Sequence, residues 1–208
     1  RIMEYPTPPT PNGDRIYIGP TAYPAFGDCN DIMVDLETMG TASAAPVIAI
    51  GAVAFKYENG VLTVGGDFYR TIDLRSEQNA GAVIEADTVM WWMQQSDAAR
   101  RKLTSGEVSA HEALQEFALW LVATTNEPRI WGNGASFDNV ILASAYKRHG
   151  IALPWKYYND RCYRTLKNLA PHIHLVRTGT HHNALDDART QTNHLGDICR
   201  ELKLPELA

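Results

Sequence analysis

Asp35 and Glu37 stand one residue apart at the end of the apolar run Ile32-Met33-Val34, just ahead of Thr38-Met39-Gly40. Side chains alternate along a strand, so both carboxylates project from one side, about 7 Å apart. Like charges so placed repel unless a cation lies beside them, and hard divalent ions suit oxygen donors of this kind. Taken alone, the pair more readily describes a polar strand end with two solvated acids. Asp31 shares the same face by alternation.

Two further stretches carry acids where helices begin. In Trp131-Gly132-Asn133-Gly134-Ala135-Ser136-Phe137-Asp138 an apolar strand runs through a Gly-rich turn into a helix. Asp138 falls in the first turn, where an acid also serves simply as a partner of the helix dipole. Asn133 either caps the turn or meets a ligand. In His181-His182-Asn183-Ala184-Leu185-Asp186-Asp187 the N-cap is Asn183, which places both aspartates in the first helical turn. His182 falls in the preceding loop, and imidazole has an ordinary pKa suited to proton transfer near neutrality. A surface histidine beside a dipole-stabilising acid is the plainer reading of that stretch.

In order and together, D-L-E-T at 35–38, N-x-x-x-F-D at 133–138 and H-N-A-L-D-D-A at 182–188 resemble the DEDDh 3′-to-5′ exonucleases. These belong to the DnaQ-like group of the ribonuclease H-like superfamily. The resemblance spans about residues 30–200. Thr88-Val89-Met90-Trp91-Trp92-Met93-Gln94-Gln95-Ser96 is similar to the phage and actinobacterial branch, which includes prophage proteins labelled exonuclease VIII.

The resemblance implies an α/β fold with a mixed five-stranded sheet flanked by helices, strands 1–3 as an antiparallel meander and parallel strands after it. It implies two Mg²⁺ or Mn²⁺ ions held by Asp35, Glu37, Asp138 and Asp187, with Asp35 shared, and His182 as general base. Thr38 and the backbone after Glu37 would meet the terminal sugar, Met39 would wedge beneath the last base, and Phe137 would help wall the pocket. Relatives that pair imply a homodimer. Spacing sets the neighbours aside. His181 fails the five-residue step to Asp187, Asp186 lies about 100° round the helix from Asp187, and Asp31 precedes the pattern. His172 and His174 form an H-x-H, but no further ligand at zinc spacing accompanies them.

The elements that must position these groups follow from periodicity. Strands are expected at 31–37, 47–57, 62–73 and 129–131, with Asn59-Gly60 as a hairpin turn between the second and third. Helices are expected at 85–95, from the Ser96-Asp97 cap to 103, at 108–124, 137–149, 161–169 and 184–202. The helix at 108–124 starts at Ser109 and carries an apolar stripe of Leu114, Phe117, Ala118, Leu121 and Val122. In the helix at 85–95, Val89, Trp92, Met93 and Ser96 share a core face. Thr88, Trp91 and Gln95 lie on the adjacent face, where an aromatic with an amide suits base stacking and base-edge contact. Trp91 fits the core equally well.

The 208 residues suffice for one domain, and 45% apolar with 21% charged residues describes an ordinary globular chain. Residues 1–28 are Pro-rich and read as a tail or linker, with Arg15–Ile18 as a possible docked edge strand, and 29–208 read as the domain. The chain starts with Arg1 rather than Met, as expected of a fragment or a processed product. No membrane span or signal peptide is visible. Cys29, Cys162 and Cys199 are odd in number and form no C-x-x-C pair, which argues against a disulfide framework and a cysteine zinc site and suits the reducing cytoplasm. A net charge of −5 gives no general polyanion signature, although Arg100-Arg101-Lys102, Lys147-Arg148 and Arg161, Arg164, Lys167 form local basic groups.

The expected activity is stepwise removal of nucleotides from a single-stranded or 3′-overhanging nucleic acid, with DNA slightly ahead of RNA. The alternatives are an oligoribonuclease-like phosphodiesterase of very short substrates, and a non-catalytic nucleic-acid-binding module on the same fold.

Overall fold

The computed structural model describes residues 29–179 and 182–207. The Pro-rich stretch 1–28, with the strand expected at 15–18, and His181 lie outside the described residues. The chain opens with three strands, β1 (Asp31–Thr38), β2 (Val47–Glu58) and β3 (Val61–Thr71). Asn59 and Gly60 both take positive φ, 52° and 81°, the conformation a two-residue hairpin needs, so the Asn-Gly turn forms as expected. Helices α1 (Leu74–Asn79), α2 (Ala86–Met93), α3 (Asp97–Leu103) and α4 (Ala110–Thr124) follow, then β4 (Arg129–Gly132), α5 (Asp138–Arg148), β5 (Asp160–Cys162), α6 (Tyr163–Leu169) and α7 (Ala184–Glu201).

The sheet runs β3-β2-β1-β4-β5. β1 pairs antiparallel with β2 and β2 with β3, whereas β4 lies parallel to β1 and β5 parallel to β4. Alternation along β1 sends Ile32, Val34 and Leu36 into a layer with Leu114, Phe117, Ile141 and Leu142 of α4 and α5. Met33 goes the other way, to Leu195, Ile198 and Cys199 of α7. Asp35 and Glu37 share the Met33 side, so the acids sit where α7 crosses the central strand.

Three starts are capped as their sequences require: Ser96 accepts from the Ala99 amide, Ser109 from Glu112 and Asn183 from Asp186. Several expectations change. β3 ends at Thr71, and the residues after it form α1, capped by Asp73, because a short helix with one cap is easily absorbed into a strand reading. β5 takes residues expected to start a helix, since a parallel neighbour, β4, offers them ladder bonds. α4 buries Ala113, Leu114, Phe117, Trp120 and Leu121, leaving Val122 exposed, because the true stripe lies one position back. α2 ends at Met93, which is 61% exposed, so the expected core face reduces to Trp92.

Asp31 is a buried structural acid. It receives Nε and Nη2 of Arg129, its register partner on β4, and the Trp131 indole N–H. Arg148 is likewise internal: it forks onto fully buried Glu77, which also accepts the Val47 amide and so fixes the start of β2.

Two glycines flanking β1 let the site assemble. Gly51 lies opposite Asp35 on β2, and a Cβ there would overlap the backbone of Ala184 and Leu185 at the start of α7. Gly132 ends β4, where a Cβ would lie 2.9 Å from the Asp138 Cβ. Gly51→Ala is therefore expected to push α7 off the sheet, costing about 1–3 kcal/mol and lowering nuclease activity by more than the folded fraction falls. Denaturant melts and specific activity measured on the same preparation check this; wild-type activity at reduced stability would show that the helix start tolerates the shift.

Candidate active site

The acids at the end of β1 meet side chains from both neighbouring layers. Glu37 is 7% exposed, and its Oε1 is buried with no hydrogen-bond partner among the described residues. A buried carboxylate oxygen left unpaired is costly, and a cation is its natural complement. Asp35 opens partly to the cleft and accepts at 2.6 Å from Nε2 of Gln191, one helical turn beyond Asp187 on α7.

Asp138 arrives from the opposite layer. The Gly-rich turn after β4 starts α5 beside β1, and the 3% exposed carboxylate takes the Leu36 amide on Oδ1 at 3.3 Å and the Asn133 amide on Oδ2 at 2.8 Å. The Leu36 amide lies between Asp35 and Glu37, so Asp138 is tied to the strand end itself. Arg164 of α6 donates to the Asn133 carbonyl and closes the turn from outside.

Asp187 comes from the first turn of α7. Its Oδ2 accepts the His182 amide at 2.9 Å and its Oδ1 accepts Nη1 of Arg177 at 2.9 Å. His182 has φ +60°, a left-handed turn that returns the chain towards the strand end. Its ring meets two indoles edge-on, Trp91 at 4.9 Å and Trp92 at 5.8 Å between centroids. Trp92 is itself anchored, its Nε1 donating to the Thr38 carbonyl at 2.9 Å. Ligand atoms of Glu37, His182 and Asp187 all lie within 4.8 Å of one another.

Asp35, Glu37, His182, Asp187, Arg177 and Gln191 line an open cleft of about 590 Å³, with Asp138 buried behind the strand end. Thr38, Trp91, Asn133 and Phe137 stand on its walls with Thr88, Trp92, Glu85 and Asp87. Met39 and Gln95 do not line it: Met39 is bonded through its backbone to Pro46 and Glu85, and the Gln95 amide donates to the Trp91 carbonyl. Glu85 accepts from the Ala42 amide and from the amide and hydroxyl of Thr41, three bonds that hold the loop after β1 and lower its pKa. Asp186 lies against Gly179 and Arg189, outside the cleft. His172 pairs with Glu201 at the surface.

Sequence reasoning missed Gln191, Arg177 and Glu85. Gln191 had a signal, the four-residue step from Asp187 that stacks side chains on one helical face. Arg177 and Glu85 had none, since both act through tertiary contacts of irregular segments.

The clustered acids disturb each other's ionisation. Burial first, then the carboxylates of Asp138, Glu37 and Asp187, push Asp35 well above its usual range, with the Gln191 hydrogen bond opposing. Burial, then Asp187 and Asp138, raise Glu37 from 4.5 to about 8. Burial raises Asp138 from 3.8 to about 7 against the backbone amides that favour its charge. The folded protein thus holds protons that the unfolded chain releases, from roughly pH 4 to 8. Stability of the ion-free protein is expected to fall as pH rises through that window, by an amount on the order of a few kcal/mol. Thermal melts in chelator from pH 5 to 8 test the sign, and divalent ions should flatten the profile; stability rising with pH would refute it.

The fold has close parallels. The nuclease domain of 3′hExo, a DEDDh family member bound to rAMP, is similar with a TM-score of 0.54 at 11% identity, over 86% of this chain and 94% of that one. Pop2p of S. pombe, in its Mg²⁺ and Mn²⁺ bound form, has a TM-score of 0.55 at 14% identity over 82% of each chain. At such identities the likeness is one of fold, the ribonuclease H-like fold of the DnaQ-like exonucleases. An exodeoxyribonuclease of Enterobacteria phage T4 is 27% identical over 158 residues, 65% of this chain and 69% of the phage protein. Residues 30–199 match the family described as the 3′-5′ exoribonuclease Rv2179c-like domain, and the chain belongs to that family of 3′-to-5′ exonucleases.

Proposed function

We propose that Asp35, Glu37, Asp138 and Asp187 hold two divalent cations, Mg²⁺ or Mn²⁺, and that His182 is the general base for hydrolysis at a nucleic acid 3′ end. The unpaired Glu37 Oε1 among four converging carboxylates carries this reading. Oxygen donors of this charge fit hard ions, and the raised pKa values mark negative charge that the protein alone leaves uncompensated. Asp35 would be shared between the ions, Glu37 and Asp187 serving one and Asp138 the other. Bound ions supply polarisation of the phosphodiester, an acidified water and neutralisation of the departing oxygen.

The chain's own groups do the rest. The imidazole of His182 stands among Glu37 and Asp187 and receives the proton of the attacking water. The two indoles fix the ring's plane, and Asp187 fixes its backbone. Thr38 and the loop clamped by Glu85 receive the terminal sugar, and Trp91, with Asn133 and Phe137, walls the last base. An open cleft with an exposed indole suits a single strand or a 3′ overhang. Residues 29–208 form the nuclease unit.

The family description names RNA and the phage relative DNA, and we place RNA first because the family match spans most of the chain. Degradation of matched 5′-labelled RNA and DNA overhangs in Mg²⁺, Mn²⁺ and chelator tests this. Stepwise shortening from the 3′ end, faster on RNA and absent in chelator, is expected. Binding without product would favour the non-catalytic module, and collapse of rate beyond two or three nucleotides would favour the short-substrate phosphodiesterase. Faster DNA degradation would reverse the order of sugars.

A further inference from the structure

The cleft is lined by five carboxylates, those of Asp35, Glu37, Glu85, Asp87 and Asp187, and Arg177 is the sole Lys or Arg on its described walls. A polyanionic strand entering such a cleft needs a donor that the acids cannot supply. Bound ions neutralise charge but offer no N–H groups, whereas a guanidinium presents a planar fork matched to phosphate oxygens.

Arg177 is placed to do this. Its Nη1 lies 2.9 Å from Oδ1 of Asp187, so the guanidinium stands beside one of the carboxylates that would hold an ion. The side chain is 51% exposed, against 14% for Asp187, and its other N–H groups have no hydrogen-bond partner among the described residues. Its backbone is held by the neighbouring Thr178, whose amide donates to Oγ1 of Thr190 at 3.2 Å and whose carbonyl accepts from the same hydroxyl. Thr190 is buried on α7, three residues beyond Asp187. The irregular segment that carries Arg177 is thus docked on the helix that carries Asp187, and the arginine is a fixed part of the cleft wall.

We propose that Arg177 is a substrate-phosphate ligand. Its pair with Asp187 keeps the guanidinium at the site, and with Asp187 holding an ion the fork would be free for the phosphate of the 3′-terminal nucleotide. The assignment rests on the proposed ion-binding role of Asp187. The competing role is a counter-charge that only steadies Asp187.

Arg177→Gln and Arg177→Lys separate the two. The probes are adenosine 5′-monophosphate and adenosine, titrated calorimetrically in Ca²⁺, with Mn²⁺ titrated separately. Arg177→Gln is expected to weaken the monophosphate by about 10- to 100-fold while adenosine binds as to the wild type. Mn²⁺ affinity is expected to hold or rise, and KM for an oligonucleotide to increase. Arg177→Lys should recover part of the monophosphate affinity, because it restores the charge without the fork. Unchanged monophosphate affinity in Arg177→Gln would overturn the proposal, as would equal weakening of both probes, or loss of Mn²⁺ binding in either variant. Failure of the underlying ion reading would show instead in the wild type, as hydrolysis that persists in chelator. If Arg177→Gln does not fold, Arg177→Lys alone decides: wild-type monophosphate affinity and KM would then count against the fork.

Discussion

Asp35→Asn is expected to reduce hydrolysis to background and to remove divalent-ion binding in the same variant. Asp35 is the acid most surrounded by others, with Asp138, Glu37 and Asp187 all raising its pKa, so it is the group through which two ions would share charge. Asparagine keeps the shape and an acceptor for the Gln191 amide but removes the charge. The same change relieves repulsion, so the ion-free variant should melt above the wild type at pH 8. Calorimetric titration with Mn²⁺, a 3′-end degradation assay and paired melts read the three effects. Ion-dependent turnover surviving in Asp35→Asn would remove Asp35 from the centre.

His182→Ala is expected to lower turnover by about 10²–10⁴-fold, the usual contribution of a general base, while Mn²⁺ affinity stays near the wild-type value. The structure sharpens this test, because the imidazole lies as close to Glu37 and Asp187 as a ligand would. Loss of ion affinity with loss of rate would make His182 a ligand in place of a base. His182→Asn is the companion variant: asparagine tolerates the positive φ at this position better than alanine, so it separates lost chemistry from a relaxed backbone. Both variants keep the His182 amide that donates to Asp187, and so isolate the ring.

The parts of the site legible in the sequence were those carried by local chemistry. An apolar run ending in two acids, a Gly-rich turn before Asp138 and an Asn183 cap before Asp187 each declare a strand end or helix start within a few residues. What stayed hidden depends on distant partners. Asp31 falls outside the site because it precedes the pattern, but its structural role, held by Arg129 and Trp131, shows only in the fold. Gly51 sits unremarked in an apolar run, and its role appears only where α7 crosses β2. Met93 fits a core periodicity, but the helix ends at that residue and leaves it in solvent. Short elements were lost for the same reason: β5, three residues long, exists because β4 is there to pair with it.

The crossing of α7 over β1 also bears on when this nuclease becomes active. Gln191 and the carboxylate it holds are 156 residues apart, and Asp187 is nearly as far from Glu37. During synthesis the strand emerges long before the helix that completes its acid cluster. A nascent chain therefore carries the strand-end pair without its partners. Docking of α7 is the step that completes the cluster, so the site is a property of the whole fold and of no single segment.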